Sequence, residues 1–182
     1  MKRVKGTVLV NSVKLIRADK SGIYDQYLTE EDKAIISRRI SPAVWYPYET
    51  FKHCFKAIFE VAAKKDLDQV RKYSRFAGEM MITDIYKDTL KPGDPLSHLR
   101  KIPIYILTFY DFGQAEVVVE KPNQVLVRLI DYDPDFAPFY YMLAGVFECI
   151  AELCGGQNVR CEFVTKSWED KSNTTSYLIS WE

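Results

Sequence analysis

Residues 115–130, AEVVVEKPNQVLVRLI, decide how the rest of the chain is read. Ala115 to Glu120 and Val125 to Ile130 are rich in β-branched residues, and Lys121-Pro122-Asn123-Gln124 between them has turn composition. The pattern predicts a hairpin. Beyond it, Phe136 to Cys154 contains only Glu148 and Glu152 as charges and runs into Gly155-Gly156, which predicts a central helix buried on most of its circumference. Val159, Cys161, Phe163 and Thr165 then share one face at a period of two. A polar turn at Glu169 to Asn173 follows, and Tyr177 to Trp181 returns as the last strand.

Upstream of residue 113 the signals are mostly helical. Val10, Val13 and Ile16 fall at helical spacing after Gly6, although Thr7 to Val10 also permits a strand. Thr29, followed by Glu30-Glu31-Asp32, reads as the cap of a short helix through Ile35 and Ile36. Ala43-Val44-Trp45-Tyr46 is too apolar for a free loop and is expected to tuck against the core. Pro47 opens a helix to about Lys65, with Tyr48, Phe51, Phe55, Ile58 and Ala62 inward and His53 outward beside Glu49. A second helix is expected from about Leu67 to Leu90, ending before Lys91-Pro92-Gly93. Its inward stripe would be Val70, Tyr73, Ala77, Met80, Met81 and Ile85, and the two helices would pair antiparallel. Asp94 caps a short helix beginning at Pro95, and residues 104–112, apolar all round, are read as a buried helix. The expected fold class is α+β: a helical N-terminal part, then a four-stranded antiparallel sheet built as hairpin, long buried helix, hairpin, with residues 1–182 forming one domain.

Composition excludes several function classes. Lys plus Arg and Asp plus Glu number 25 each, so no global field recruits nucleic acid or an anionic membrane. No stretch approaches the roughly 18 apolar residues of a membrane span, and no secretory signal pattern is present, which predicts a cytoplasmic location. Cys54, Cys149, Cys154 and Cys161 are then expected reduced. The last three lack the paired close spacing of structural zinc ligands. Asp131, Asp133 and Asp135 resemble the opening of a calcium loop, but the places that need Gly and a bidentate Glu hold Phe136 and Met142, so caps for the central helix are the simpler reading. With two histidines, no G-x-S-x-G elbow and scattered glycines, neither a nucleophilic triad nor a nucleotide loop is predicted.

The positive signal is aromatic. Trp45, Tyr46, Phe76, Met80, Tyr105, Phe109, Phe139 and Met142 are candidates to line an adaptable apolar ligand pocket, with plain core packing as the alternative for each. His98, between Leu96 and Leu99, is the remaining candidate ligand.

Several short motifs carry a resemblance over nearly the whole chain: Val4-Lys5-Gly6-Thr7-Val8, Trp45-Tyr46-Pro47, Tyr110-Asp111-Phe112-Gly113, Cys154-Gly155-Gly156 with Val159 to Phe163, and Ile179-Ser180-Trp181. In this order they resemble the H-NOX (heme, nitric oxide and oxygen binding) domain, vinyl-4-reductase-type domains and TRAPP-like subunits, and are similar to a bacterial family of unknown function on that plan. The resemblance implies an apolar cavity between the helical part and the sheet. Heme-binding H-NOX domains use a proximal His before the aromatic segment that enters the sheet, and a Tyr-x-Ser-x-Arg motif after the second strand. Here the counted proximal position falls near Pro103, five residues from His98, and Leu129 to Asp135 has no such motif and no Arg. The metal-binding cysteines that vinyl-reductase-type domains carry around the closing hairpin are missing too. The resemblance therefore implies a non-catalytic sensor or adaptor domain that binds a small apolar ligand or a signalling protein and carries no cofactor. A heme-based gas sensor using His98 is the alternative, and a structural homodimerisation module is a third reading.

Overall fold

Gly6 begins helix α1 (Gly6–Ala18) at a point where only glycine fits, because a Cβ would stand 2.1 Å from the Ser41 carbonyl oxygen. The close approach arises where strand β1 (Arg3–Lys5) runs straight into α1 while the chain returns beside it. The computed structural model describes the backbone of residues 1–86 and 93–182 and the side chains of residues 1–79 and 93–182. The predicted stripe residues Met80, Met81 and Ile85, the helix end at Leu90 and the stop at Lys91-Pro92 lie outside those descriptions. The chain forms two compact units, residues 1–66 with 107–112, and residues 67–106 with 113–182.

In the N-terminal unit, α2 (Glu30–Ile36) is followed by β2 (Trp45–Pro47) and α3 (Tyr48–Val61). Trp45 and Tyr46 are thus part of a strand rather than a tucked loop. β2 pairs antiparallel with β1, Val4 opposite Tyr46. α1 turns Leu9, Val13 and Ile16 inward at helical spacing. The buried face of α3 is Tyr48, Thr50, Phe51, Cys54 and Ala57, rotated from the predicted stripe, so Phe55, Ile58 and Ala62 are only half-buried. α3 also ends four residues short of Lys65, because Lys64 and Lys65 adopt left-handed φ values of 52° and 64°.

The C-terminal unit contains α4 (Leu67–Tyr86), α5 (Pro95–Leu99), the first turn of α6 (Ile102–Phe109), β3 (Gln114–Lys121), β4 (Gln124–Ile130), α7 (Ala137–Leu153), β5 (Arg160–Thr165), α8 (Ser167–Asp170) and β6 (Thr174–Ser180). The four long strands form one antiparallel sheet in the order β3-β4-β6-β5. Val125, Val127 and Leu129 of β4 and Tyr177 and Ile179 of β6 are fully buried, and α7 lies against β5 and β6. The polar turn expected at Glu169 to Asn173 begins earlier, as the single helical turn α8.

Three packing expectations are corrected. α4 packs along α7 within its own unit. Its inner side is Val70, Arg71, Ser74 and Gly78, leaving Tyr73 and Ala77 exposed. Small residues allow the close approach: a Cβ on Gly145 of α7 would lie 2.2 Å from the Arg71 carbonyl oxygen. α6 is helical as expected but not buried all round, since Ile104 and Leu107 are exposed. Finally, Asp131, Asp133 and Asp135 do not cap α7, whose first residue follows Phe136 with no side-chain cap. They fasten the turn instead. Asp131 accepts from Asn173 Nδ2 at 3.0 Å, Asp133 Oδ1 from the Asp135 amide at 3.3 Å, and Asp135 pairs with Lys171 at 2.8 Å.

Candidate functional site

His98 is positioned by a short helix whose start is written in the sequence. Asp94 accepts the Ser97 amide at 2.9 Å and Pro95 occupies the first turn, so α5 begins where expected and turns His98 inward. The Gly93 amide donates to the Cys154 carbonyl at 2.7 Å, tying the entry of α5 to the end of α7, and α5 packs on α7 and β4. His98 is 0% exposed, and its Nδ1 lies 3.4 Å from the Tyr105 hydroxyl. An axial ligand needs one ring nitrogen facing room for the iron and its macrocycle. The His98 imidazole is enclosed on every side.

The segment after β4 tells the same story. Residues 129–135 hold no Tyr-x-Ser-x-Arg motif and no arginine: two and four residues beyond Tyr132 stand Pro134 and Phe136, and the next arginine is Arg160 in β5. The Tyr132 ring is buried: it stacks on Phe139 at 5.7 Å, and it occupies the space a Cβ on Gly113 would need, 2.4 Å away. Gly113, at φ 72°, is where the chain enters β3. The Tyr-Asp-Phe-Gly and Cys-Gly-Gly motifs thus have packing roles. Gly155, at φ 96°, and Gly156 close α7 through amides donated to Glu152 and Ala151.

The eight aromatic and methionine candidates are divided between the two units. Trp45, Tyr46 and Phe109 belong to the N-terminal unit; Phe76, Met80, Tyr105, Phe139 and Met142 belong to the other. Trp45 is half-buried beneath Lys5 Nζ, 4.4 Å from its ring, with Arg3 at 5.7 Å, and the Tyr46 hydroxyl accepts the Ser41 amide at 2.9 Å. Phe109, Tyr105 and Met142 are half-buried, Phe139 is fully enclosed and Phe76 faces outward. The Met80 side chain lies outside the described residues.

One aromatic group has no counterpart among the expected pocket residues. Trp168 of α8 stacks on Tyr140 at 5.1 Å and meets Phe163 edge-on at 5.2 Å, over a buried Ser167 to Thr175 hydroxyl contact of 2.8 Å. Its neighbours in sequence are polar, and they hide it.

Nucleophilic chemistry is poorly served by what is present. Burial pushes the thiols of Cys54 and Cys149 up to about 12 and that of Cys154 to about 11, and raises Cys161 further. All four stay protonated near neutrality and are enclosed. His53 does not pair with Glu49 on the surface as expected; its Nδ1 lies 2.8 Å from Asp32 Oδ2. The same carboxylate accepts the Thr29 amide and hydroxyl, at 2.9 and 2.7 Å, and bonds to Thr50, so it joins the α2 cap to α3.

Burial alone would raise the Asp32 pKa, but the Thr29, Thr50 and His53 hydrogen bonds outweigh it and hold the carboxyl below its ordinary value. A depressed carboxylate contributes stability that is present above its unfolded pKa of about 4 and is lost as pH falls through the lower folded value. Urea midpoints should therefore decline below about pH 4 in the parent protein. Asp32→Asn should flatten that limb and cost about 1–2 kcal/mol at neutral pH through the weakened cap. A parallel decline in both proteins would contradict the assignment.

Among the described residues no three His, Cys, Asp or Glu side chains gather as a metal site, and no helix is long and apolar enough to cross a membrane. No family model and no curated protein matches the sequence. Solved structures do match. An H-NOX protein from S. oneidensis in its Fe(II)NO state is 14% identical, with TM-score 0.68, covering 98% of this chain and 99% of that one. Unliganded Fe(II) H-NOX from K. algicida is 13% identical, with TM-score 0.67 over 98% and 96%. A mutant of T. tengcongensis H-NOX is 14% identical, with TM-score 0.67 over 98% and 97%. Over nearly its whole length, this chain therefore has an H-NOX-like fold.

Proposed function

We propose that the chain is a non-catalytic sensor or adaptor domain that binds a small apolar ligand or a partner protein without heme. One observation carries this reading: a full-length H-NOX-like fold in which the candidate axial histidine and the tyrosine after β4 are both consumed by packing. Half-buried apolar side chains remain to contact a ligand: Trp45, Tyr46 and Phe109 in one unit, Tyr105 and Met142 in the other. Native mass spectrometry of freshly purified protein, set against a delipidated control, tests the ligand form. The expected result is a co-purifying apolar species removed by delipidation. A protein that neither carries such a species nor captures a partner in cross-linking would end the proposal.

The second reading is a heme-based gas sensor with His98 as axial ligand. Fold likeness supports it, because the similar structures are heme and iron proteins by description. The side chains oppose it, since the residues present do not fit the group: His98 is enclosed, and the position four beyond Tyr132 holds Phe136 instead of arginine. Hemin titration separates the two readings. We expect no Soret change that depends on His98, so the parent protein and His98→Ala should give the same spectrum. A Soret band lost specifically in His98→Ala would install the heme reading instead.

A further inference from the structure

The sheet order β3-β4-β6-β5 leaves one side of β3 and one side of β5 without a neighbouring strand. The β5 edge is blunted: its ladder is irregular between Phe163 and Thr165, and Arg71 of α4 donates to its Cys161 carbonyl. The β3 edge is not. This strand is eight residues long, its only ladder among the described residues is with β4, and Val118 and Val119 are 38% and 37% exposed. A long edge rich in β-branched residues is a template for another strand. We propose that β3 pairs antiparallel with β3 of a second copy of the chain, about a two-fold axis at Val117, so that the two sheets become one.

The side chains select the partner and the register. Directly opposed residues of an antiparallel pair point to the same face, so a two-fold axis must pass between a residue and its own copy. An axis at Val118 would set Glu116 against Glu120 at both ends, and an axis at Glu116 would set that carboxylate against itself. An axis at Val119 is barred by the β-bulge between Val119 and Lys121, and axes nearer the strand ends pair too few residues. The axis at Val117 has none of these conflicts. It places Val117 against Val117 and the small Ala115 against Val119. Both pairs lie on the face shared with buried Val125, Val127 and Leu129 of β4, so one apolar layer runs on into the next. On the other face Glu116 meets Val118, and its charge is balanced within its own chain by Arg128 at 3.6 Å. The stretch from Ala115 to Val119 thus complements itself when turned end for end, which is what a symmetric dimer requires. A contact confined to one strand edge falls short of the roughly 1,200 Å² of a standard interface, so the dimer should be weak, with a Kd on the order of tens of micromolar. This association is independent of what the domain binds.

Sedimentation velocity across a concentration series up to about 200 μM tests the association. The parent chain should follow a monomer–dimer equilibrium. Val117→Lys, which sets two cations face to face on the axis, should weaken it about tenfold or more, whereas Val117→Thr should stay within about threefold of the parent. Oxidative cross-linking reads the register. Two copies of Val117→Cys should lie with Cα atoms about 4.5–5.5 Å apart, within disulfide range, and should couple readily. Val118→Cys should not, because its copy is a diagonal neighbour about 7–8 Å away. The four native cysteines are buried and should add little background. Far-UV circular dichroism checks that each variant is folded, and the two cysteine variants decide the matter if Val117→Lys is not. A strict monomer, a folded Val117→Lys that dimerises like the parent, or a Val118→Cys that couples as readily as Val117→Cys would each overturn the proposal.

Discussion

Arg71→Met is expected to lower the unfolding free energy by about 3–5 kcal/mol, the usual cost of leaving one member of a buried ion pair without its partner. Arg71 Nε donates to Glu148 Oε2 at 3.0 Å and Nη2 to Oε1 at 2.6 Å, and Nη2 also reaches the Cys161 carbonyl of β5. One guanidinium thereby links α4, α7 and the edge of the sheet. Burial alone would disfavour its charge, but the hydrogen bonds and charge of Glu148 outweigh that penalty. The pair is mostly sheltered, with side chains 24% and 11% exposed. The loss in Arg71→Met therefore comes largely from a stranded carboxylate. Replacing both residues, Arg71→Met/Glu148→Leu, should recover most of it. Arg75 and Glu152 form the next rung in more solvent, and Arg75→Met should cost no more than about 1 kcal/mol. Urea unfolding followed by circular dichroism measures all three. An Arg71→Met midpoint close to that of Arg75→Met would refute the distinction.

These ion pairs also mark where the sequence is legible and where it is not. The hairpin at 115–130, the long apolar helix and the closing strands follow from period and turn chemistry alone, because each is long and patterned. The caps at Thr29 and Asp94 are equally legible, being local. β1 and β2 are not: each is three residues long, and they pair across about forty residues with no periodicity to advertise them. α4 misleads for a different reason. Its aromatics suggest an apolar inner stripe, yet α7 already supplies the apolar surface and needs cations for Glu148 and Glu152. A usable signal exists in the matched spacing, Arg71 and Arg75 on one helix against Glu148 and Glu152 on the other. His53 reads as a surface residue because its true partner, Asp32, is distant in sequence and serves a cap at the same time. The site is least legible of all, since enclosure of His98 depends on elements remote in sequence packing around α5.

The closeness of α4 and α7 yields the second large effect. Gly145→Ala should destabilise by about 3 kcal/mol, near the upper end for overpacking, although alanine favours the helix by about 1 kcal/mol on propensity alone. The new methyl would lie 2.2 Å from the Arg71 carbonyl oxygen and 3.0 Å from the Arg75 amide nitrogen, both backbone atoms that cannot swing aside. The helices must therefore separate, and the bonds of Arg71 to Glu148 stretch with them. Gly78→Ala is the contrasting case on the opposite helix. Its methyl would meet the Cys149 side chain at 3.7 Å, an ordinary contact, so propensity decides and the variant should be neutral or more stable by up to about 1 kcal/mol. Two glycine-to-alanine changes in one interface should thus shift stability in opposite directions or by very different amounts. Equal shifts would mean that helix propensity, rather than backbone contact, governs this interface. Because Gly145 and Arg71 share one point of contact, their effects should also fall short of additive, and the double variant Gly145→Ala/Arg71→Met should lose clearly less than the sum of the two.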